Sequence, residues 1–558
     1  MNTQRLSITG LLFCLLLAAC APAARTPTLQ TTNTAAQPLA LDTAKGEEAG
    51  QSAPLPPAAP PPYATAMPFP PMGEAPKELA AAPTTSGYQP ALVPQLPAGA
   101  PPADNYYQNY GINPFVDARE DHLSTFGLDV DTASYTVMRR HINDGYLPPA
   151  DSVRVEEYVN YFNMGYPTPA SVAFGIYADG APSPYSGDGT IILRFGIQGY
   201  RVAESERKPA NLVFVIDVSG SMAQENRLEL VKRSLQMLVE RLRPDDSLGI
   251  VVYGSDARVI LEPTSGANRG VILEAIYSLH PEGSTNAEAG LIVGYDMAMR
   301  AYRSGANNRV ILCSDGVANT GATDPNVILS RIHGYVSEGI TLTTVGFGMG
   351  NFNDVLMEQM ADKGNGFYAY VDTEEQARKL FIDQITSTLQ TIARDAKVQV
   401  DFNPEVVARY RLIGYENRAI ADQDFRNDRV DAGELGAGHS ATALYAVQLY
   451  PGAQGRIATV QLRWQNPDTY QVQEINGNFN TWDLAASFDQ ADPRYQLAVV
   501  ASQYAEVLRN SPYARGLSLY QLRDQAYQVA RLLPGDQDVI EFAWLVDRAA
   551  QLNPALLQ

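Results

Sequence analysis

Between Asn211 and Ile392 the hydrophobic positions switch repeatedly between two periods. Asn211–Ile216, Ser247–Tyr253, Arg309–Cys313 and Thr341–Phe347 are short apolar runs rich in β-branched residues. That is the pattern of strands buried on both faces. Between the first two, Leu228, Val231, Leu235, Leu238, Val239 and Leu242 recur at helical spacing and stop at Pro244. Val271–Leu279, Ala287–Ala301, Asn326–Ser337 and Phe352–Ala361 predict further helices, and Gly366–Tyr370 an edge strand. A last helix is expected on the face Ala377, Leu380, Phe381, Ile385, Leu389 and Ile392, with Asp372 and Glu375 as its capping box. Strands alternating with helices predict a mostly parallel sheet covered on both sides.

The flanks read differently. Before the central segment, Thr132–His141 and Ser152–Phe162 predict helices, the second with Val155, Tyr158, Val159 and Phe162 on one face. Val172–Ala178 and Thr190–Ile197 predict strands about a Gly/Pro/Ser turn. After it, Ala396–Phe402, Ala408–Tyr415, Thr442–Tyr450 and Ile457–Trp464 predict more strands. One β-rich unit built from both flanks, with the α/β unit inserted, accounts for this order and keeps the ends of the insert together. From about Trp482 the pattern is helical, with faces at Leu497, Val500, Tyr504, Val507 and Leu508, then Leu522, Ala526, Val529 and Ala530, then Phe542, Leu545, Val546 and Ala549. Pro512 and Pro534 separate them.

Composition changes the picture at the start of the chain. Arg5 and the apolar run Leu11–Leu17 have the form of a signal peptide, too short for a stable span. Leu17-Ala18-Ala19-Cys20 resembles a bacterial lipobox, which implies cleavage before Cys20 and lipid on its thiol and amino terminus. An ordinary signal peptide or an uncleaved apolar start are the alternatives. Ala21 carries no retention signal of the Asp type. Residues 21–105 are rich in Ala, Pro, Thr and Gln and read as a disordered tether. At roughly 3 Å per residue such a tether would extend well over ~100 Å.

The 558 residues carry a formal net charge of −20, which makes nucleic acid an unsuitable partner. Of three cysteines, Cys14 would leave with the signal peptide and Cys20 would be acylated. Cys313 then stands alone in an apolar run, a small buried hydrophobe with no disulfide partner in the chain.

Candidate chemistry sits where the first central strand ends. Asn211–Met222 reads NLVFVIDVSGSM, so Asp217, Ser219 and Ser221 lie just beyond the strand, where α/β sheets place ligands. A carboxylate and two hydroxyls are hard oxygen donors suited to Mg²⁺ or Mn²⁺. The stretch resembles the von Willebrand factor type A domain and its metal-ion-dependent adhesion site, an Asp-x-Ser-x-Ser motif completed by a distant Thr and a distant Asp. Thr285, in GSTNAEAGL, and Asp315, in VILCSDGVANTG, stand at those positions. The resemblance implies a Rossmann-like α/β fold and one divalent ion bound by Asp217, Ser219, Ser221, Thr285 and Asp315. It also implies an open coordination position for a carboxylate from a protein partner.

The flanks resemble bacterial YfbK-like lipoproteins, through DVDTASY and its surroundings, Asn403–Arg418 and Asp424–Val447. DVDTASY could hold a second ion or simply end a strand and cap a helix. The organisation expected is signal peptide 1–20, tether 21–105, first flank 106–207, type A domain 208–394, β-rich second flank 395–480 and helical region 481–558. The expected protein is a lipid-anchored, non-enzymatic binding protein of the bacterial envelope, facing the periplasm or exterior. A scaffold with a purely stabilising ion is the alternative. A metal-assisted hydrolase is less well supported: no HExxH, GxSxG elbow or GxxxxGK[ST] loop occurs, and His280 is the nearby histidine.

Overall fold

The computed structural model describes residues 37–38, 42–43, 105–128, 130–170, 172–316, 330, 333–348 and 352–552. The expected signal peptide, the expected lipidation site Cys20 and nearly all of the expected tether lie outside these residues. Two short strands inside the tether range are described, β1 (Gln37–Pro38) and β2 (Asp42–Thr43). They are followed by β3 (Val116–Asp117), β4 (Leu123–Gly127), α1 (Ala133–Asn143), α2 (Val155–Asn160), β5 (Phe174–Pro182) and β6 (Ile191–Gly199).

The central unit runs β7 (Ala210–Asp217), α3 (Arg227–Arg241), β8 (Ser247–Tyr253), β9 (Ala257–Ser265), α4 (Arg269–Tyr277), α5 (Ala287–Arg300) and β10 (Asn307–Ser314). It continues with β11 (Thr341–Phe347), α6 (Asp354–Lys363), β12 (Tyr368–Val371), α7 (Glu374–Arg378) and α8 (Ile385–Leu389). Its strand order is β12-β11-β10-β7-β8-β9, parallel except for the β8–β9 pair. Most of the helix expected over Asn326–Ser337 falls outside the described residues, and 333–337 are helical.

Central β7 shows how alternation divides the core. Leu212, Phe214 and Ile216 pack with α3 and the last helices, whereas Val213 and Val215 pack with α5 and α6. Successive side chains of a strand point to opposite faces, so one apolar run serves both layers. Gly294 lets α5 lie close on β7, because a Cβ there would collide with Val215 Cγ2.

After the insert come β13 (Thr391–Phe402), β14 (Val407–Ile413), β15 (Gly433–Gly436), β16 (Ser440–Leu449), β17 (Arg456–Gln465) and β18 (Val472–Asn480). One sheet has the order β1-β5-β6-β16-β14-β3, the other β15-β13-β17-β18-β2 with β4 also paired to β13. Strands from both flanks therefore share each sheet, and Phe126, Phe195, Val400, Tyr445 and Leu462 lie in the core between them. The closing helices α9 (Pro493–Leu508), α10 (Leu519–Leu532) and α11 (Gln537–Leu552) pack with α1 and α2 over the outer face of the first sheet.

Three sequence expectations are corrected. Residues 37–38 and 42–43 are not free tether: they pair with Tyr177–Ala178 on β5 and Ile475–Asn476 on β18. The last central helix is not continuous to Ile392. A π-helical turn, Lys379–Asp383, separates α7 from α8, and Ile392 belongs to β13. The hydroxyls of Ser387 and Thr388 bond to the Ala437 and Leu380 carbonyls, and Lys379 Nζ is drawn to Tyr161 O at 3.0 Å and Asp538 Oδ2 at 2.8 Å. Nor does Asp372 cap that helix. Thr373 is the N-cap, accepting from Gln376 N–H, while Asp372 receives Arg139 Nε at 2.8 Å and Nη2 at 2.5 Å.

That Arg139–Asp372 pair joins α1 to the central unit. Arg154, whose Nη1 donates to Asp354 Oδ2 at 2.5 Å, does the same between α2 and α6. Both arginines are almost fully buried. Asp131 of the DVDTASY stretch accepts from Tyr368 N–H at 2.9 Å and pairs with Arg418, while Thr132 makes no side-chain cap.

Candidate functional site

The parallel register brings the C-terminal ends of β7 and β10 side by side, Ile216 opposite Cys313. Asp217 follows Ile216 directly, Asp315 follows Cys313 after Ser314, and both carboxylates are buried. Ser219 N–H donates to Asp217 Oδ1 at 2.8 Å, turning the loop back on the strand, and the Ser219 and Ser221 hydroxyl oxygens are 3.0 Å apart. The loop bearing Thr285 is tied to this turn by two backbone bonds: Glu282 N–H to Val218 O at 2.5 Å and Gly220 N–H to Gly283 O at 3.1 Å. Thr285 itself is buried, and Asn286 caps α5 by accepting from Ala289 N–H at 3.1 Å. The five residues singled out in the sequence thus sit on three loops at one sheet edge.

Two further residues at this edge were not anticipated. Ser314 Oγ donates to Asp217 Oδ2 at 3.0 Å. Arg227, first residue of α3, donates from Nη1 to Asp315 Oδ2 at 2.9 Å. The Ser-Asp pair ending an apolar strand was a visible signal for Ser314. Arg227 had none, because a basic residue beside an apolar stripe reads as a solvated face.

Charge at the site is unbalanced around Asp217. Burial, reinforced by the charge of Asp315, pushes its carboxyl up to about 7, against the bonds from Ser219 and Ser314. A buried carboxylate pair with hydroxyl oxygens about it suits a hard divalent cation, whose charge would favour the ionised carboxylate and oppose that rise. Asp217, Ser219, Ser221, Thr285 and Asp315 would hold it. Among the described residues no group of three or more His, Cys, Asp and Glu forms a metal cage. The expected set differs in kind, since three of its five members are hydroxyls. His280 is exposed on the neighbouring loop, its Nδ1 3.0 Å from Ser278 O. Cys313 is buried, which raises its thiol pKa.

Residues 211–384 match the von Willebrand factor type A domain, and residues 101–193 a family described as von Willebrand factor. Residues 387–455 match the C-terminal region of the uncharacterized protein YfbK. YfbK of Escherichia coli (strain K12) is 37% identical over 457 residues, spanning 77% of this chain and 78% of that protein. The chain belongs to the YfbK family. This YfbK-family chain is also 29% identical to human inter-alpha-trypsin inhibitor heavy chain H3 over 247 residues, 42% of the chain but 25% of that protein. Among solved structures, a von Willebrand factor type A protein from Catenulispora acidiphila superposes with a TM-score of 0.41 at 15% identity, covering 66% of this chain and 89% of that one. No helix among the described residues is long and apolar enough to cross a membrane.

Proposed function

We propose that this YfbK-family protein binds a protein partner through a divalent cation, Mg²⁺ or alternatively Mn²⁺, held by Asp217, Ser219, Ser221, Thr285 and Asp315. One observation carries the reading: two buried carboxylates end adjacent strands beside a hydroxyl-bearing turn, at the edge where α/β folds bind ligands. With two carboxylates the ion keeps positions for water, one of which a partner's acidic side chain can replace. The site is one for binding rather than catalysis. Type A domains generally serve protein interaction or adhesion. Lipid on Cys20 would fix the protein to a bacterial envelope membrane, facing the periplasm or exterior, where it would assemble or adhere.

Calorimetric titration with Mg²⁺ and Mn²⁺ tests the ion site, with Asp217→Ala as the control that should lose uptake. Crosslinking pulldown from native membranes, with and without EDTA, tests the partner. Capture that disappears with EDTA supports cation-dependent binding. Capture unaffected by EDTA, together with a fall in melting temperature alone, would leave the ion a stabilising role.

A further inference from the structure

Arg227 is nearly buried at the foot of the ion edge, and its guanidinium holds one oxygen of Asp315, Oδ2, at 2.9 Å. Space for it is built in. Gly348 crosses above with φ +82, and a Cβ at that position would collide with Arg227 Nε and Cδ. On its outer side Glu225 Oε2 lies 3.9 Å from Arg227 Nη2 and 2.9 Å from Arg140 Nη2 on α1. Arg140 is bonded in turn to Asp144 at 2.7 Å. Glu225 and Asn226, which lead into α3, both have left-handed backbones, with φ of 49° and 58°. Such positions are costly for residues other than glycine. The turn is thus held in an uncommon conformation that delivers Arg227 to Asp315.

We propose that Arg227 is a positioning residue of the ion site, clamping one Asp315 oxygen and leaving the bound divalent cation with surplus positive charge for an anionic ligand. The inference rests on the ion site proposed above. Two carboxylates alone would neutralise a divalent cation, and its attraction for an incoming carboxylate would be weak. Arg227 adds a positive charge within the same buried cluster. Glu225 is half exposed and shared with Arg140, so it screens this charge incompletely. Arg227 therefore opposes cation binding and favours carboxylate binding. Fixing the Asp315 carboxylate through Oδ2 also directs its other oxygen away from the guanidinium.

The two effects have opposite signs, which separates them from loss of structure. A unit charge roughly 6 Å from a divalent ion changes its affinity by about tenfold even under the screening of bulk water. Mn²⁺ binding to the full chain is read by electron paramagnetic resonance in the wild type and in Arg227→Met, Arg227→Gln and Arg227→Lys. Folding of each variant is checked by near-ultraviolet circular dichroism. Acetate, as the carboxylate probe, is then titrated against the protein–Mn²⁺ complex and followed by water-proton relaxation. The folded neutral variants should bind Mn²⁺ about tenfold more tightly and acetate severalfold more weakly. Arg227→Lys should stay close to the wild type in both. Mn²⁺ affinity unchanged or reduced in the folded neutral variants overturns the inference, as does acetate affinity independent of residue 227. Absence of Mn²⁺ uptake by the wild type removes the ion site itself, a distinct failure.

Discussion

Replacing Asp217 by Asn should make the metal-free protein more stable at alkaline pH. The asparagine keeps an Oδ1 acceptor for Ser219 N–H, and its Nδ2 can donate to Ser314 Oγ once that hydroxyl turns. Shape and bonding are nearly preserved; the charge is removed. In the folded protein the Asp217 carboxyl is raised from 3.8 to about 7, mainly by burial and then by Asp315. A raised folded pKa means that the native state holds its proton more tightly than the unfolded chain. The stabilisation is complete below the unfolded pKa and is lost as the pH rises through the folded one. Each unit corresponds to about 1.4 kcal/mol, so ionisation removes at most about 4 kcal/mol. Asparagine is neutral throughout and avoids this loss.

Melting of both proteins in EDTA, followed across this pH range, provides the assay. At about pH 8 the variant should melt higher, by at most roughly 10 °C for a unit of this size, whereas at about pH 4 the two should converge. Mg²⁺ should then raise the melting temperature of the wild type far more than that of Asp217→Asn. A variant equal to or less stable than the wild type at every pH in EDTA refutes the reasoning. It would mean that the Asp217 and Asp315 charges are already compensated within the chain.

Thr285→Ala should weaken Mn²⁺ uptake by about tenfold if its hydroxyl is a ligand, while costing the metal-free protein no more than one buried hydroxyl bond, about 1 kcal/mol; titration calorimetry reads the first and scanning calorimetry in EDTA the second. Asp372→Ala leaves the buried Arg139 without its bidentate partner and should cost about 3–5 kcal/mol, whereas Thr373→Ala removes only an N-cap and should cost about 1 kcal/mol; urea unfolding separates them. Gly294→Ala forces a Cβ against Val215 and should destabilise by about 1–3 kcal/mol, with Val215→Ala in the same chain recovering part of the loss.

The central unit was legible because local pattern and final environment agree. Every residue of Ala210–Asp217 is buried, and an apolar β-branched run can satisfy two covered faces only as an inner strand. Edge strand β9 was missed, since its pattern is half exposed and its pairing with β8 is antiparallel against the trend. Strand β4 was foreseen only as a strand end before DVDTASY, without bounds or a partner, for another reason. Leu123–Gly127 pairs with Lys397–Asp401 across more than two hundred and fifty residues, and no local period announces such a partner. The last helix failed where tertiary bonds outweighed propensity, because Lys379 and Ser387 each bond to elements outside it.

The same distinction governs the site. The positions of the candidate residues can be read from their motif, because the loops that carry them follow recognisable strands or lead into a helix. Their electrostatic setting cannot, because it is assembled from the packing of separate elements. Asp372 illustrates this where the central unit meets the first flank: its spacing to Glu375 resembles a capping box, yet its partner is Arg139, more than two hundred residues earlier. Arg227 illustrates it at the candidate site, where the guanidinium meets Asp315 because Gly348 leaves room and the preceding turn is left-handed. A motif specifies which atoms can touch an ion. The buried charges around them decide how tightly it is held and what it can attract, so related chains with identical donor residues can differ in both.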